Sequence, residues 1–178
     1  FSDVHPNLSN GTVSGTASFQ IENTTGTEQE VAFALNPGYK VNSVQANGQP
    51  VPFQIDDYQE SNMALLNVTI PALESIDLCF DYHGFPQDWN LMETMQGKPE
   101  ISSKYLCLEN QALAPAIMNA GTADGTFSSI TDITLPDTMT VIPFGLAEAK
   151  KEAEHDNGTI TWRIEDTENR GILYAGDY

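Results

Sequence analysis

Apolar and polar residues alternate along much of this chain. Ile76, Leu78, Phe80 and Tyr82 share one parity, with Asp77, Cys79 and Asp81 on the other. A period of two sends successive side chains to opposite faces, so the run reads as a strand with one apolar face. In 11–21 the shared parity belongs to Val13, Ala17, Phe19 and Ile21, and in 31–35 to Val31, Phe33 and Leu35. Asn36-Pro37-Gly38 stops that second run as a turn. Residues 39–46 and 51–55 flank Asn47-Gly48, the best short hairpin signal in the chain, with Gln49 and Pro50 lengthening the loop. A further strand is predicted over 63–70.

Residues 126–145, TFSSITDITLPDTMTVIPFG, read as strand, corner and strand. Phe127, Ile133 and Leu135 fall on one parity with Ser129 and Thr131 between them. Pro136-Asp137 breaks the ladder, because proline has no N–H to give and Asp can bond its own backbone in a turn. Residues 138–143 then resume a β-branched run that Pro143 and Gly145 end. Residues 85–100 read as a loop with at most a short helical turn, and 104–108 as a strand. Residues 110–125 read as a long connection, of a length that is often functional. Residues 146–154 favour helix on propensity alone. However, Asp156-Asn157-Gly158 and the alternating Ile160, Trp162 and Ile164 follow at once. The prediction is a hairpin pairing 141 onward with 159 onward, since context overrides so short a helical preference. About ten short strands and no convincing helix predict an all-β sandwich or saddle, as one domain over 1–178.

Composition narrows the function classes. The formal charge is -18, from 7 basic against 25 acidic residues. Such a surface repels phosphate backbones and anionic lipid heads, which argues against nucleic-acid binding. No apolar run approaches the roughly 20 residues that cross a bilayer. No Lys/Arg-led leader is present, and the chain reads as a piece of something longer, whose membrane spans would lie elsewhere. Cys79 and Cys107 each sit in an apolar run, as buried thiols do, although a bond between neighbouring strands stays open in an oxidising compartment. Asn-X-Ser/Thr occurs at Asn7, Asn10, Asn23, Asn67 and Asn157. The plain reading is that Asn and Thr are abundant in turns and strands.

Catalytic patterns are missing. A thermolysin-type zinc site needs two His one helical turn apart with a Glu between them. Here His5, His83 and His155 are isolated. Neither cysteine has a partner two residues away, and no nucleophile elbow or phosphate loop occurs. Asp77 and Asp81 share a strand face and so admit a carboxylate pair or a calcium site. In so acidic a chain a solvated face explains them better. The segment 106–118, LCLENQALAPAIM, places Glu109 and Gln111 beside apolar Leu113, Ile117 and Met118. A carboxylate against apolar walls can receive a free α-amine, and it can equally be a polar residue where a strand surfaces.

Several stretches resemble one family. These are 32–53, AFALNPGYKVNSVQANGQPVPF; 76–86, IDLCFDYHGFP; the strand-corner-strand ITLPD…TVIPFG; the Thr161-Trp162 strand; and the terminal AGDY of 175–178. Together they resemble the N-terminal β-domain of the M1 zinc aminopeptidases, in the bacterial branch that attaches such a module to membrane-embedded segments. The resemblance implies a β-saddle packed against a second, zinc-bearing domain whose signatures this sequence lacks. It therefore implies no catalytic residue and no metal or cofactor in this chain, with zinc supplied downstream. In that family the N-terminal domain lends a Gln or Glu to the substrate's free amine, shortly before an aromatic-Pro element. Leu113-Ala114-Pro115 stands at that element without its Trp and Tyr, which gives the role to Glu109 or Gln111. The implied partners are the adjacent domain of the same parent and a peptide N-terminus, and the implied location is the bacterial cell surface. The alternatives are a free-standing extracellular module binding carbohydrate or protein, with Trp89 and Trp162 as the sugar platform, and a spacer without a ligand.

Overall fold

The computed structural model describes residues 1–57, 64–92, 95–109, 112–118, 128–143, 147–166 and 172–177. Phe127, Gly145, Met63 and Gln111 lie outside them. The described elements are all strands. They begin with β1 (Ser2–Asn7), β2 (Thr12–Glu22), β3 (Gln29–Leu35), β4 (Tyr39–Ala46), β5 (Gln49–Pro50) and β6 (Gln54–Asp57). Next come β7 (Ala64–Ile70), β8 (Ser75–Gly84), β9 (Trp89–Met92), β10 (Met95–Gly97), β11 (Glu100–Ile101) and β12 (Tyr105–Glu109). The last are β13 (Ala116–Ile117), β14 (Ser129–Pro136), β15 (Thr140–Pro143), β16 (Glu148–His155), β17 (Thr159–Asp166) and β18 (Ile172–Gly176).

An eight-stranded sheet runs β16-β17-β14-β1-β2-β8-β4-β5. Two four-stranded sheets run β13-β3-β7-β6 and β11-β12-β18-β15, and β9 pairs with β10. The pairing of β1 with β14 is parallel and the other ladders are antiparallel. Alternation in β8 holds residue by residue: Ile76, Leu78, Phe80 and Tyr82 are buried, while Asp77 and Asp81 are exposed. These side chains meet the inner face of the β3-containing sheet. Phe33 lies 4.7 Å from the ring of Phe80 and 5.0 Å from that of Phe19, which closes an aromatic cluster between the layers. In β3 the prediction of one apolar face was too narrow. Ala32, Phe33, Ala34 and Leu35 are all buried, because this strand is covered on both faces.

Asn47-Gly48 is the tip of a two-residue hairpin. Asn47 (φ 50°) and Gly48 (φ 74°) both take the left-handed conformation that such a turn needs. Gln49 and Pro50, expected in the loop, are instead its return strand, and residues 54–57 join another sheet. The Pro136-Asp137 corner moves the chain from the eight-stranded sheet to the β15 edge of a four-stranded one. This also corrects the predicted hairpin. Residues 148–155 do pair with 159–166, but Thr140–Pro143 pairs with β18. Residues 85–100, expected as a loop, carry β9 and β10, with Gly97 against the Trp89 ring, where a Cβ would fall 2.1 Å from Nε1. Cys79 and Cys107 are free thiols on strands of different sheets, not neighbours.

The Asn-X-Ser/Thr repeats are turn devices. The side-chain oxygens of Asn7, Asn10, Asn23 and Asn157 each accept a hydrogen bond from the hydroxyl two residues on, at 2.7–2.8 Å. Asn67 differs, donating to Asp56 at 3.1 Å.

Candidate functional site

Glu109 ends β12, half-buried, opposite Ile172 of β18. Two residues earlier Cys107 lies across from Tyr174, and these two share the strand face of Glu109 because of the period of two. Burial first, and then the Glu109 carboxylate, push the Cys107 thiol up to about 11. Burial, Cys107 and Glu109 likewise raise the Tyr174 phenol. Each group is harder to ionise beside a carboxylate than it would be in water.

The chain beyond Glu109 is anchored by two tyrosines from the eight-stranded sheet. Tyr82 donates its hydroxyl to the carbonyl of Leu113 at 2.6 Å, and Tyr39 donates to that of Ala112. Their rings lie 5.2 Å apart, and burial raises both phenols well above the ordinary range. A buried Tyr needs an acceptor for its O–H, and these two backbone carbonyls supply it. From there Ala116 and Ile117 pair with β3, and the Met118 N–H donates to the Ala32 carbonyl at 2.8 Å. Asn36 pins the other approach. Fully buried, it accepts from the N–H groups of Gly38 and Gln87 and donates to the Gln87 carbonyl, each at 2.9 Å.

This arrangement divides the expected site. Gln111 lies outside the described residues, so of the pair only Glu109 is located. Of the apolar residues named beside them, Leu113 is core, whereas Ile117 and Met118 are half-buried. Sequence reasoning missed Tyr39, Tyr82 and Asn36. The available signal was two tyrosines and an asparagine at inward-facing or turn positions, each of which needs buried partners.

The other candidates are accounted for structurally. Asp77 accepts from Gln20 and Asp81 from Asn42 on an exposed face. Trp89 is 2% exposed and Trp162 is 9% exposed, so neither offers a ring to a sugar; this removes the proposed sugar platform. A polar depression of about 410 Å³ is lined by Asp3, His5, Asp132, His155 and neighbouring threonines. Its groups already satisfy one another. His5 bonds Asp3 at 3.1 Å, His155 bonds Thr161 at 2.8 Å, and Arg163 holds Asp132 through two contacts of 2.8 and 2.7 Å. Among the described residues no three His, Cys, Asp or Glu side chains gather as a metal-holding group.

This all-β architecture is that of the N-terminal β-domain of the M1 aminopeptidases. The M1 zinc metallopeptidase of Deinococcus radiodurans shares it with a TM-score of 0.67 at 17% identity, over 98% of this chain and 41% of that one. A structure of a point mutant of that enzyme bound to a Tyr-Ser-Ala substrate gives 0.69 at 16%, with the same coverage. Native leukotriene A4 hydrolase from Saccharomyces cerevisiae gives 0.62 at 14%, over 98% of this chain and 28% of that one. At these identities the likeness is one of fold. This chain thus spans less than half the length of the solved structures it matches. No family model and no curated protein sequence matches it.

Proposed function

We propose that this chain is the non-catalytic N-terminal β-domain of an M1 aminopeptidase-like protein. It packs against a zinc peptidase-like domain and shapes the way to that domain's substrate site. One observation carries this reading: nearly the whole chain superposes on well under half of enzymes whose remainder has no counterpart here. Zinc, in this proposal, belongs to the neighbouring domain, and no step through it is derived for these residues. Glu109 or Gln111 is the residue proposed to meet a peptide's free amine, and Glu109 stands half-buried at the end of β12, where a strand surfaces. The proposal puts the chain on a bacterial cell surface, carried by a membrane-anchored parent, on the strength of the sequence resemblance.

The test is an aminoacyl-chromophore assay of the chain alone, with and without added zinc. No product is expected in either condition, and zinc-dependent turnover would overturn the reading. The parent reading frame beyond residue 178 gives an independent check, since the proposal requires a zinc-domain sequence there with a His-Glu-x-x-His helix or its degenerate remnant.

A further inference from the structure

We infer that the depression where β2, β8 and β4 meet binds a small organic carboxylate carrying an apolar group. It measures about 270 Å³, the scale of one amino-acid-sized ligand, and its lining includes Lys40, His83, Thr12, Ser14 and Phe85. The ladder registers place His5, Ser14, His83 and Lys40 in a single row across β1, β2, β8 and β4. Three of the chain's ten Lys, Arg and His residues thus share one row of an otherwise acidic protein. The next row on that face holds Asp3 and Asp81, yet Asp3 is bonded to His5 and Asp81 to Asn42. Lys150, Lys151 and Arg163 are all tied up in ion pairs. Lys40, like Lys98 and Lys104, has no such partner among the described residues, and the His83 side chain has no hydrogen bond there.

The surroundings choose the ligand class. Lys40 supplies one fixed positive charge, and the Thr12 and Ser14 hydroxyls and a His83 ring nitrogen supply further donors, which matches a carboxylate better than a doubly charged phosphate. Phe85, 58% exposed, provides an apolar wall that nothing in the described fold covers. The floor is bare backbone. Gly38 and Gly84 line it without side chains, and their backbones pack so closely that a Cβ on Gly84 would fall 2.1 Å from the Gly38 carbonyl oxygen. This site is separate from Glu109 and does not rest on the peptidase reading.

Titration of the isotope-labelled chain with N-acetyl-phenylalanine, followed by NMR, tests it. Saturable shifts are expected at Lys40, His83 and Gly84. N-acetyl-phenylalanine amide, which lacks the charge, should bind about tenfold more weakly, and so should the carboxylate to Lys40→Gln. Phe85→Ser, at an exposed side chain, reads the same site independently and should also weaken binding. Absent shifts, an amide that binds as tightly as the acid, or variants with unchanged affinity would overturn the proposal. Inorganic phosphate displacing the ligand at equal concentration would overturn the carboxylate assignment.

Discussion

Strands β8 and β16 belong to one sheet and are held in it by different forces. β8 has neighbours on both sides and buries every second side chain against the opposing layer. β16 lies at the sheet edge with one neighbour, and none of its side chains is fully buried. Its sequence, EAKKEAEH, carries a helical preference, but eight residues cannot sustain a helix without packing, and the ladder to β17 satisfies their backbone groups instead. Charge then secures what burial does not. Lys150 meets Glu165 at 2.8 Å, and Lys151 lies 5.8 Å from the Trp162 ring centre. The ladder shifts register at Glu152, whose carboxylate reaches Arg163 at 3.0 Å. A charged, bulged edge also discourages further strands from adding there. An inner strand is therefore specified by what it removes from water, and the edge strand by its neighbour's backbone and ion pairs.

Substitutions in the two strands should separate these forces, with the largest effect in β8. Phe80→Ala removes the centre of the aromatic cluster and should cost about 3–5 kcal/mol in urea unfolding. Tyr82→Phe leaves the Leu113 carbonyl without its donor and should cost about 1–3 kcal/mol. A loss of nearly zero there would mean that the tyrosine hydroxyl does not anchor the segment after Glu109. The Cys107 thiol adds a pH effect. Its folded-state value is raised to about 11 from an ordinary 9.0, so the unfolded chain gives up that proton first. The Cys107 contribution should therefore be constant below pH 9 and fall as pH climbs from 9 towards 11, with the raised tyrosine phenols adding to the loss above pH 10, and Cys107→Ala should reduce that slope. Arg163→Gln strips the bidentate partner from Asp132 and should destabilise less than either β8 substitution. Lys150→Gln, at a solvated pair, should leave the unfolding midpoint nearly unchanged. If Lys150→Gln proved as damaging as Phe80→Ala, the contrast between the two strands would fail.

The same contrast explains what was legible beforehand. Strands that bury one face announce it by parity, as β2 and β8 do, and Asn47-Gly48 announces its turn through the left-handed backbone it demands. The pair β9 and β10 carries no such signal. Gly97 is in a strand because it fits flat against Trp89, which depends on packing rather than on strand preference. Val141 was assigned to the wrong partner because the Pro136-Asp137 corner changes sheets, and local sequence does not say which edge receives the chain. At the candidate site, Glu109 was nominated through family resemblance and strand-end polarity, and its place at the end of β12 agrees with the second of these. Tyr39 and Tyr82 were missed, since they find their acceptors 73 and 31 residues away along the chain.

The proposed role requires that this β-domain pack against another domain. The most direct measurement is sedimentation of the chain mixed with the separately produced remainder of its parent, each first shown to be folded. A saturable one-to-one complex is predicted. Two folded pieces that sediment independently at high concentration would contradict it.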